Sequence, residues 1–335
     1  MTSTRLHFVQ FILQRNTILK CCVYTAFTTL FCFGLFLQCN NSIASQEHQI
    51  SALKVEEIAP GIFVAVGEIQ LMNPENRGHI ANLSFVVGSK HVAVIDTGGS
   101  FYVGQRLRAA IRLVTDLPIS YVINTHSHPD HMLGNAAFLK ENAEFIAHKH
   151  FNTALAQRGE HYMAANLERV GKSGFSGTGL IPSTRSVSDE MSLDLGGRML
   201  HLIAKPTAHT DNDLIIIDKQ TNTAFLGDLL FVDHIPALDG SLRGWQSVMD
   251  DLSNQKFKRA VPGHGPASVS WPAGLASQNK YLTTLISDLK KDIEAGTPIN
   301  EASQKAATSE RDAWELFDEF NTRNATAGYA ELEWE

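Results

Sequence analysis

Apolar positions recur along this chain in two periods, and the alternation between them outlines the fold. Residues 55–67, "VEEIAPGIFVAVG", read as two short strands around a Pro60-Gly61 turn. Residues 83–100, "LSFVVGSKHVAVIDTGGS", read as a hairpin of β-branched runs with its turn near Gly88-Ser89. The period then changes. Over 103–115, "VGQRLRAAIRLVT", Leu107, Ile111 and Val114 fall on one helical face. "ISYVINTHSH" returns to strand and ends in histidines, "AEFIAHKH" is a further strand, and 151–170 read as helix. "EMSLDL", "MLHLIAKP", "DLIIIDK" and "TAFLGDLLF" follow as strands in quick succession, and "RAVPGHGP" as a last strand ending on a loop histidine. From Leu275 onward the helical period dominates, with a stop at Gly296. Strand runs interleaved with helices, several ending in polar loops, predict an α/β layered domain, and such strand ends are where functional side chains gather.

The first 44 residues follow neither period. Arg5, Arg15 and Lys20 precede an uncharged run, "CCVYTAFTTLFCFGLFL", and Ser42-Ile43-Ala44 is a small-x-small cleavage site. Together they predict a signal peptide over 1–44 and a periplasmic or secreted mature protein. A retained anchor is the alternative, since the 17-residue run sits at the short limit for a span; a lipid on Cys39 is another. Cleavage leaves 291 residues. That suffices for one domain over 45–270 and a helical extension over 271–335, with no membrane span in the mature chain.

Composition narrows the chemistry. All four cysteines (Cys21, Cys22, Cys32, Cys39) precede the cut, so the mature chain has no disulfide and no thiolate ligand. Losing Arg5, Arg15 and Lys20 takes the net charge from −7 to −10. An acidic surface without a basic tract excludes a nucleic-acid partner and leaves a small-molecule substrate.

One stretch carries the candidate chemistry. "THSHPDHMLGN", residues 125–135, packs His126, His128, Asp130 and His131 into six positions. Imidazole and carboxylate are the donors zinc prefers when thiolate is absent. In extended chain, residues two apart point the same way, so His126 and His128 share one metal. Pro129 keeps His128 extended, and Asp130 and His131 beyond it face a second metal. Three later strand ends supply the remaining ligands: His209 in "KPTAHTDND", Asp228 in "FLGDLLF" and His264 in "VPGHGP". The expected set is His126, His128 and His209 on one metal, Asp130, His131 and His264 on the other, and Asp228 between them. Asp130 and His209 are the candidate catalytic residues.

This H-x-H-x-D-H motif, with His209, Gly227-Asp228 and Pro262-Gly263-His264-Gly265 in that order, resembles the metallo-β-lactamase-fold hydrolases over about 55–265. The resemblance implies an αββα sandwich with a dinuclear site at one edge of its sheets. It also implies two zinc ions that share a hydroxide and clamp a substrate oxygen; Mn and Fe are compatible with the same donors. "AVIDTGG" is similar to the turn whose aspartate, here Asp96, orients a ligand histidine in that superfamily; a plain turn or cap residue is the alternative. The missing cysteine excludes the Cys-ligand β-lactamase branch, and Asp228 resembles the bridging aspartate of the thioesterase, lactonase and phosphodiesterase group. Longer stretches, "NPENRGHIANLSFVVG", "GDLLFVDHIPALDGSLRGW" and "RNATAGYAELEWE", resemble the quinoprotein relay system zinc metallohydrolases. They imply an exported hydrolase partnered with a quinoprotein dehydrogenase system. The other readings are a non-catalytic metal-binding accessory of that system and a β-lactamase-like hydrolase.

Weaker candidates flank the motif. In "DHIPALDGSLRGW", read as a loop, His234 is placed to reach a substrate oxygen and Arg243 to hold a carboxylate. Leu71 and Met72 either flap over the substrate or pack on the core. Asn135 reads as a first-turn helix residue.

Overall fold

Two mixed sheets stack face to face, and helices cover both outer faces. The computed structural model describes residues 50–335; the expected signal peptide and its cysteines lie outside the described residues. The first sheet runs in chain order: β1 (Glu56–Ala59), β2 (Ile62–Ala65), β3 (Leu83–Val87), β4 (Val92–Ile95), β5 (Ile119–Ile123), β6 (Glu144–His148) and β7 (Arg185–Val187). It is antiparallel as far as β4 and parallel from there on. The second sheet holds β8 (Glu190–Asp194), β9 (Met199–Ala204), β10 (Leu214–Asp218), β11 (Thr223–Phe231), β12 (Arg259–His264) and β13 (Val269–Ser270), in reverse spatial order from β13 to β8. Only β11 and β12 pair in parallel there.

Burial explains the strand sequences. Val64, Ile95 and Ile123 of the first sheet meet Leu202, Ile216 and Phe225 of the second across a shared core. "VAVI" of β4 and "LIIID" of β10 are buried throughout. Both faces are covered, so these strands read as continuous apolar runs rather than alternating ones. Helix α1 (Phe101–Val114) covers the first sheet with Val103, Leu107, Ala110 and Ile111. Its N-cap is Ser100, whose hydroxyl accepts from the Val103 N–H at 3.3 Å. Val114, expected on the buried face, is 39% exposed because the helix ends at that residue. Helices α2 (Pro129–Met132) and α3 (Phe151–Phe175) follow. The helical path of α3 holds to Val170 and breaks at Gly171, which sits at φ +80°.

The outer face of the second sheet is covered by α4 (Leu242–Ser253), α5 (Ala276–Glu294), α6 (Ile299–Lys305) and α7 (Phe317–Leu332). Trp245, Leu285, Leu289 and Tyr329 share one core with Leu226, Leu229 and Phe231 of β11. The C-terminal helices are therefore a layer of the sandwich, and Ser51–Glu335 form one compact unit. Helix α4 occupies a stretch whose sequence predicts a loop. Gly240 and Gly244 around its cap Ser241 disguise it, yet Leu242, Trp245, Met249 and Leu252 keep helical spacing. Glu331 of α7 closes its start, accepting from the Leu242 N–H at 2.6 Å and the Ser241 hydroxyl at 2.7 Å. Among the described residues no helix is long and apolar enough to cross a membrane.

A buried arginine between β8 and β9 joins the second sheet to the first. Arg198 donates from Nε and Nη2 to Asp218 at 2.9 and 3.0 Å, and from Nη1 to the carbonyls of Pro60 and Val87 at 3.0 Å each. Arg198→Ala strands the Asp218 carboxylate in the interior. The expected loss is about 3–5 kcal/mol of unfolding free energy, read from urea denaturation. A loss under about 1 kcal/mol would show that the pair is not what holds the sheets in register.

Candidate metal centre

Seven donors converge where β5, β11 and β12 meet. His126 and His128 lie on the loop after β5, Asp130 and His131 on α2, and His209 on the β9–β10 loop. Asp228 lies within β11, and His264 ends β12. His128 is extended at φ −71° and ψ 150°, and Pro129 opens the single turn of α2. The break after His128 divides the cluster. His126, His128, His209 and Asp228 form one group and Asp130, His131 and His264 a second, the donor atoms of each group lying within 4.8 Å of one another. Asp228 stands between the groups. Its Oδ2 is 3.7 Å from His126 Nε2, 3.4 Å from His209 Nε2 and 3.5 Å from His264 Nε2, and its Oδ1 is 3.1 Å from His131 Nε2. Glycine is required beside it: a Cβ on Gly263 would collide with Asp228 Oδ1.

The nitrogens facing away from the cluster fix the rings. His209 Nδ1 donates to the Ala237 carbonyl at 2.6 Å, and His131 Nδ1 to Asp96 Oδ2 at 2.8 Å. His126 Nδ1 meets the Thr125 hydroxyl at 3.1 Å, and that hydroxyl donates to Asp96 Oδ2 at 2.7 Å. Asp96 Oδ1 accepts from the Thr125 N–H at 2.8 Å. Asp96 itself is left-handed, at φ +58°, and these bonds hold it in a conformation that side chains rarely adopt. Aromatic walls complete the support. Phe231 stacks on His264 at 5.1 Å between centroids, and Trp245 lies 5.3 Å from His209.

Charge in the cluster is strongly polarised. Burial alone would raise Asp228, but His131, His264 and His126 outweigh it and hold the carboxyl well below its ordinary range. Burial pushes His209 down to about 3, and His126 falls well below the usual imidazole value. Burial opposes protonation of His131 and His264 as well. Asp228 and Asp130 reverse it, raising His131 well above its ordinary value and His264 to about 9.

These donors fit a divalent cation. His131 Nε2 and Asp228 Oδ1 are buried and lack a hydrogen-bond partner among the described residues, although 3.1 Å apart. A buried lone pair without a partner is costly, and a metal ion satisfies it. Imidazole and carboxylate without sulfur suit zinc, and manganese or iron after it.

A cleft of about 790 Å³ opens over the cluster, with His128, Asp130, Asp228 and His264 on its floor. Residues 76–264 match the model of the metallo-beta-lactamase superfamily. The chain belongs to this superfamily. Its solved relatives share the fold at low identity. The stereoselective inverting sec-alkylsulfatase Pisa1 from Pseudomonas sp. is 18% identical with a TM-score of 0.63, and the match covers 83% of this chain and 50% of that one. The chain thus spans about half the length of the alkylsulfatase it matches. A metallo-beta-lactamase from Pontibacter korlensis is 18% identical with a TM-score of 0.56, over 69% of this chain and 99% of that one. TMB-1, described for its substrate and inhibitor binding, is 20% identical with a TM-score of 0.55, over 70% of this chain and 98% of that one. No curated protein sequence matches the chain. Members of the superfamily are hydrolases, and this chain carries His and Asp groups able to hold metal.

The weaker candidates divide. His234 lines the cleft, and its ring lies 4.8 Å from that of His264. Arg243, expected to hold a substrate carboxylate, does not reach the cleft. It sits in the first turn of α4, and its guanidinium grips Glu335 at 2.8 and 2.9 Å. Leu71 and Met72 both line the cleft, Leu71 at 45% exposure and Met72 packed against the buried cluster of Met132, Leu133 and Phe151. Asn135 is fully buried and exchanges amide hydrogen bonds with Asn124 at 2.8 and 3.2 Å, behind the His131 backbone. Asp239 escaped the sequence reading altogether. Its Oδ2 meets His128 Nε2 at 3.1 Å and accepts from Arg158, and its Oδ1 accepts from Arg323 at 3.0 Å. A lone Asp in a Gly-flanked stretch gives no signal of that role.

Asp96→Asn leaves the turn but removes the charge that orients His131. Metal affinity is expected to fall about 10–100-fold in a competitive chelator titration. An unchanged dissociation constant would reduce Asp96 to a turn residue.

Proposed function

We propose that this chain is an exported dinuclear zinc hydrolase of an ester, thioester, lactone or similar bond, working beside a quinoprotein oxidation system. The observation that carries the hydrolytic reading is the meeting of two donor groups on Asp228 at the floor of an open cleft. The leader-like start and the long stretches similar to quinoprotein relay system metallohydrolases support the export and the partner.

His126, His128 and His209 would hold one ion, Asp130, His131 and His264 the other, and Asp228 both. Zinc bound there supplies Lewis acidity and makes water nucleophilic near neutral pH. The chain's own groups do the rest. Asp130 reaches the cleft floor with Oδ2 3.3 Å from His264 Nε2. Burial would raise it, but His131 and His264 hold it well below the carboxylate range. As a carboxylate it orients the attacking water, takes its proton and passes it to the leaving group. His209, clamped by Ala237 and the Trp245 ring, keeps its Nε2 aimed inward. His234 donates from Nδ1 to the Ile235 carbonyl at 2.5 Å, and burial lowers its imidazole to about 4. It stays neutral, and its Nε2 lone pair is left to accept a hydrogen bond from substrate.

Initial rates of the zinc-loaded protein from Ser45 across ester, thioester, lactone, β-lactam and phosphodiester substrates test the reading. Turnover of one bond type is expected, reduced about 10²–10⁴-fold in Asp130→Asn. Silence across the panel with two zinc equivalents bound would transfer the protein to the accessory role. Metal analysis of Asp228→Ala provides a separate check. That variant is expected to lose the second equivalent before the first, and retention of two would remove Asp228 from the bridging position.

A further inference from the structure

Three arginines, Arg158, Arg169 and Arg323, line this one cavity. Apart from Asp130 and Asp228 on its floor, only Asp239 and Glu319 oppose them in the lining. Arg158 and Arg323 are committed to Asp239, the carboxylate behind His128. Arg169 has no carboxylate partner among the described residues and is exposed at the rim.

Helix α3 explains the arrangement. Arg158, Tyr162, Ala165 and Arg169 follow one another at intervals of four, three and four, so they share one helical face, and all four line the cleft. Eleven residues at 1.5 Å each place Arg169 roughly 16 Å along the axis from Arg158. The middle of this wall is Tyr162 and Ala165. Leu71, Met72 and Ile80 also line the cleft, and Met72 and Tyr162 pack against the same buried cluster, which includes Met132 and Phe151. The cavity therefore has metal donors at its floor, an apolar waist, and a cationic rim at Arg169.

We propose that the substrate is an elongated amphiphilic anion. Its scissile group lies on the metal donors, its hydrocarbon body between the Leu71–Met72 loop and the Tyr162–Ala165 face, and its distal carboxylate, sulfate or phosphate on Arg169. The inference rests on the reading of the cleft as the hydrolytic site, and it adds the substrate class. Arginine suits the role, because its guanidinium forks onto planar and tetrahedral oxyanions alike. The apolar waist rewards chain length.

Binding without turnover separates this inference from the hydrolytic one. The probes are octanamide and suberic acid monoamide, which share a neutral amide end and a chain of the same length but differ in the distal carboxylate. Calorimetric titration of the zinc-loaded protein is expected to show the monoamide binding about tenfold tighter at low salt, with the advantage shrinking as salt rises. Arg169→Gln should abolish that preference while zinc content and unfolding temperature stay unchanged, and Arg169→Lys should keep part of it. Leu71→Ser should weaken both probes alike. Equal binding of the two probes overturns the proposal. So does a preference that survives in Arg169→Gln, because the carboxylate would then sit on the metals. Selective binding in a protein that hydrolyses nothing would overturn the hydrolytic reading and leave the anion site standing.

Discussion

The centre of this molecule depends on one electrostatic demand, a carboxylate held in the interior among imidazoles. Asp228 is 4% exposed, within a strand that is buried from end to end. An isolated buried carboxylate is too costly to keep ionised. Here four histidine nitrogens surround it at 3.1 to 3.7 Å, and the whole cluster is shaped to keep it charged. The two sheets exist, in this sense, to bring β11 and β12 side by side under the loop from β5. Their parallel pairing sets Gly227 against Pro262, which places Gly263, with no side chain, beside the carboxylate.

What holds the imidazoles is a second ring of contacts with a different chemistry. Thr125, Asp96 and the Ala237 carbonyl are hydrogen-bond acceptors fixed to backbone, and Phe231 and Trp245 are rigid surfaces. They restrict the rings of His126, His131 and His209 to one tautomer and one orientation before any ligand arrives, which is how a site acquires affinity without reorganisation. Asp96 serves two elements at once, since the same carboxylate receives His131 and the Thr125 hydroxyl that meets His126. Its left-handed backbone is tolerated because three hydrogen bonds over-determine it.

Most of the strands, and the seven residues that converge at their ends, were legible in the sequence for the same reason. Period-two and continuous apolar runs are local signals, and histidines between Pro and Gly at strand ends have few structural uses. The αββα layering and the partition of donors around Pro129 follow from those signals plus the family resemblance. Helix α4 and Arg243 were not legible, because Gly240 and Gly244 around Ser241 look like loop and mask the helical spacing of Leu242, Trp245, Met249 and Leu252. Asp239 was invisible for a deeper reason. Its role is made by Arg158 and Arg323, which are 81 and 84 residues away in sequence, and no local pattern marks a carboxylate as the meeting point of distant cations.

Asp239 also explains why the C-terminal helices belong to the site rather than merely covering a sheet. Burial would raise this carboxyl, yet His128, Arg158 and Arg323 hold it well below the usual range. It is therefore a fixed negative charge that receives the Nε2 of His128 on one oxygen and the Arg323 guanidinium of α7 on the other. Its own N–H donates to the His209 carbonyl at 3.1 Å. Two donor histidines are thus tied to the last helix through a single residue. Asn324, next to Arg323, donates to the Pro236 carbonyl at 2.6 Å and accepts from the Leu238 N–H at 2.9 Å. The segment from 236 to 239 is pinned on both sides. The position of His128 is consequently set as much by α7 as by its own loop, and the same arginines that set it form the inner end of the cationic wall.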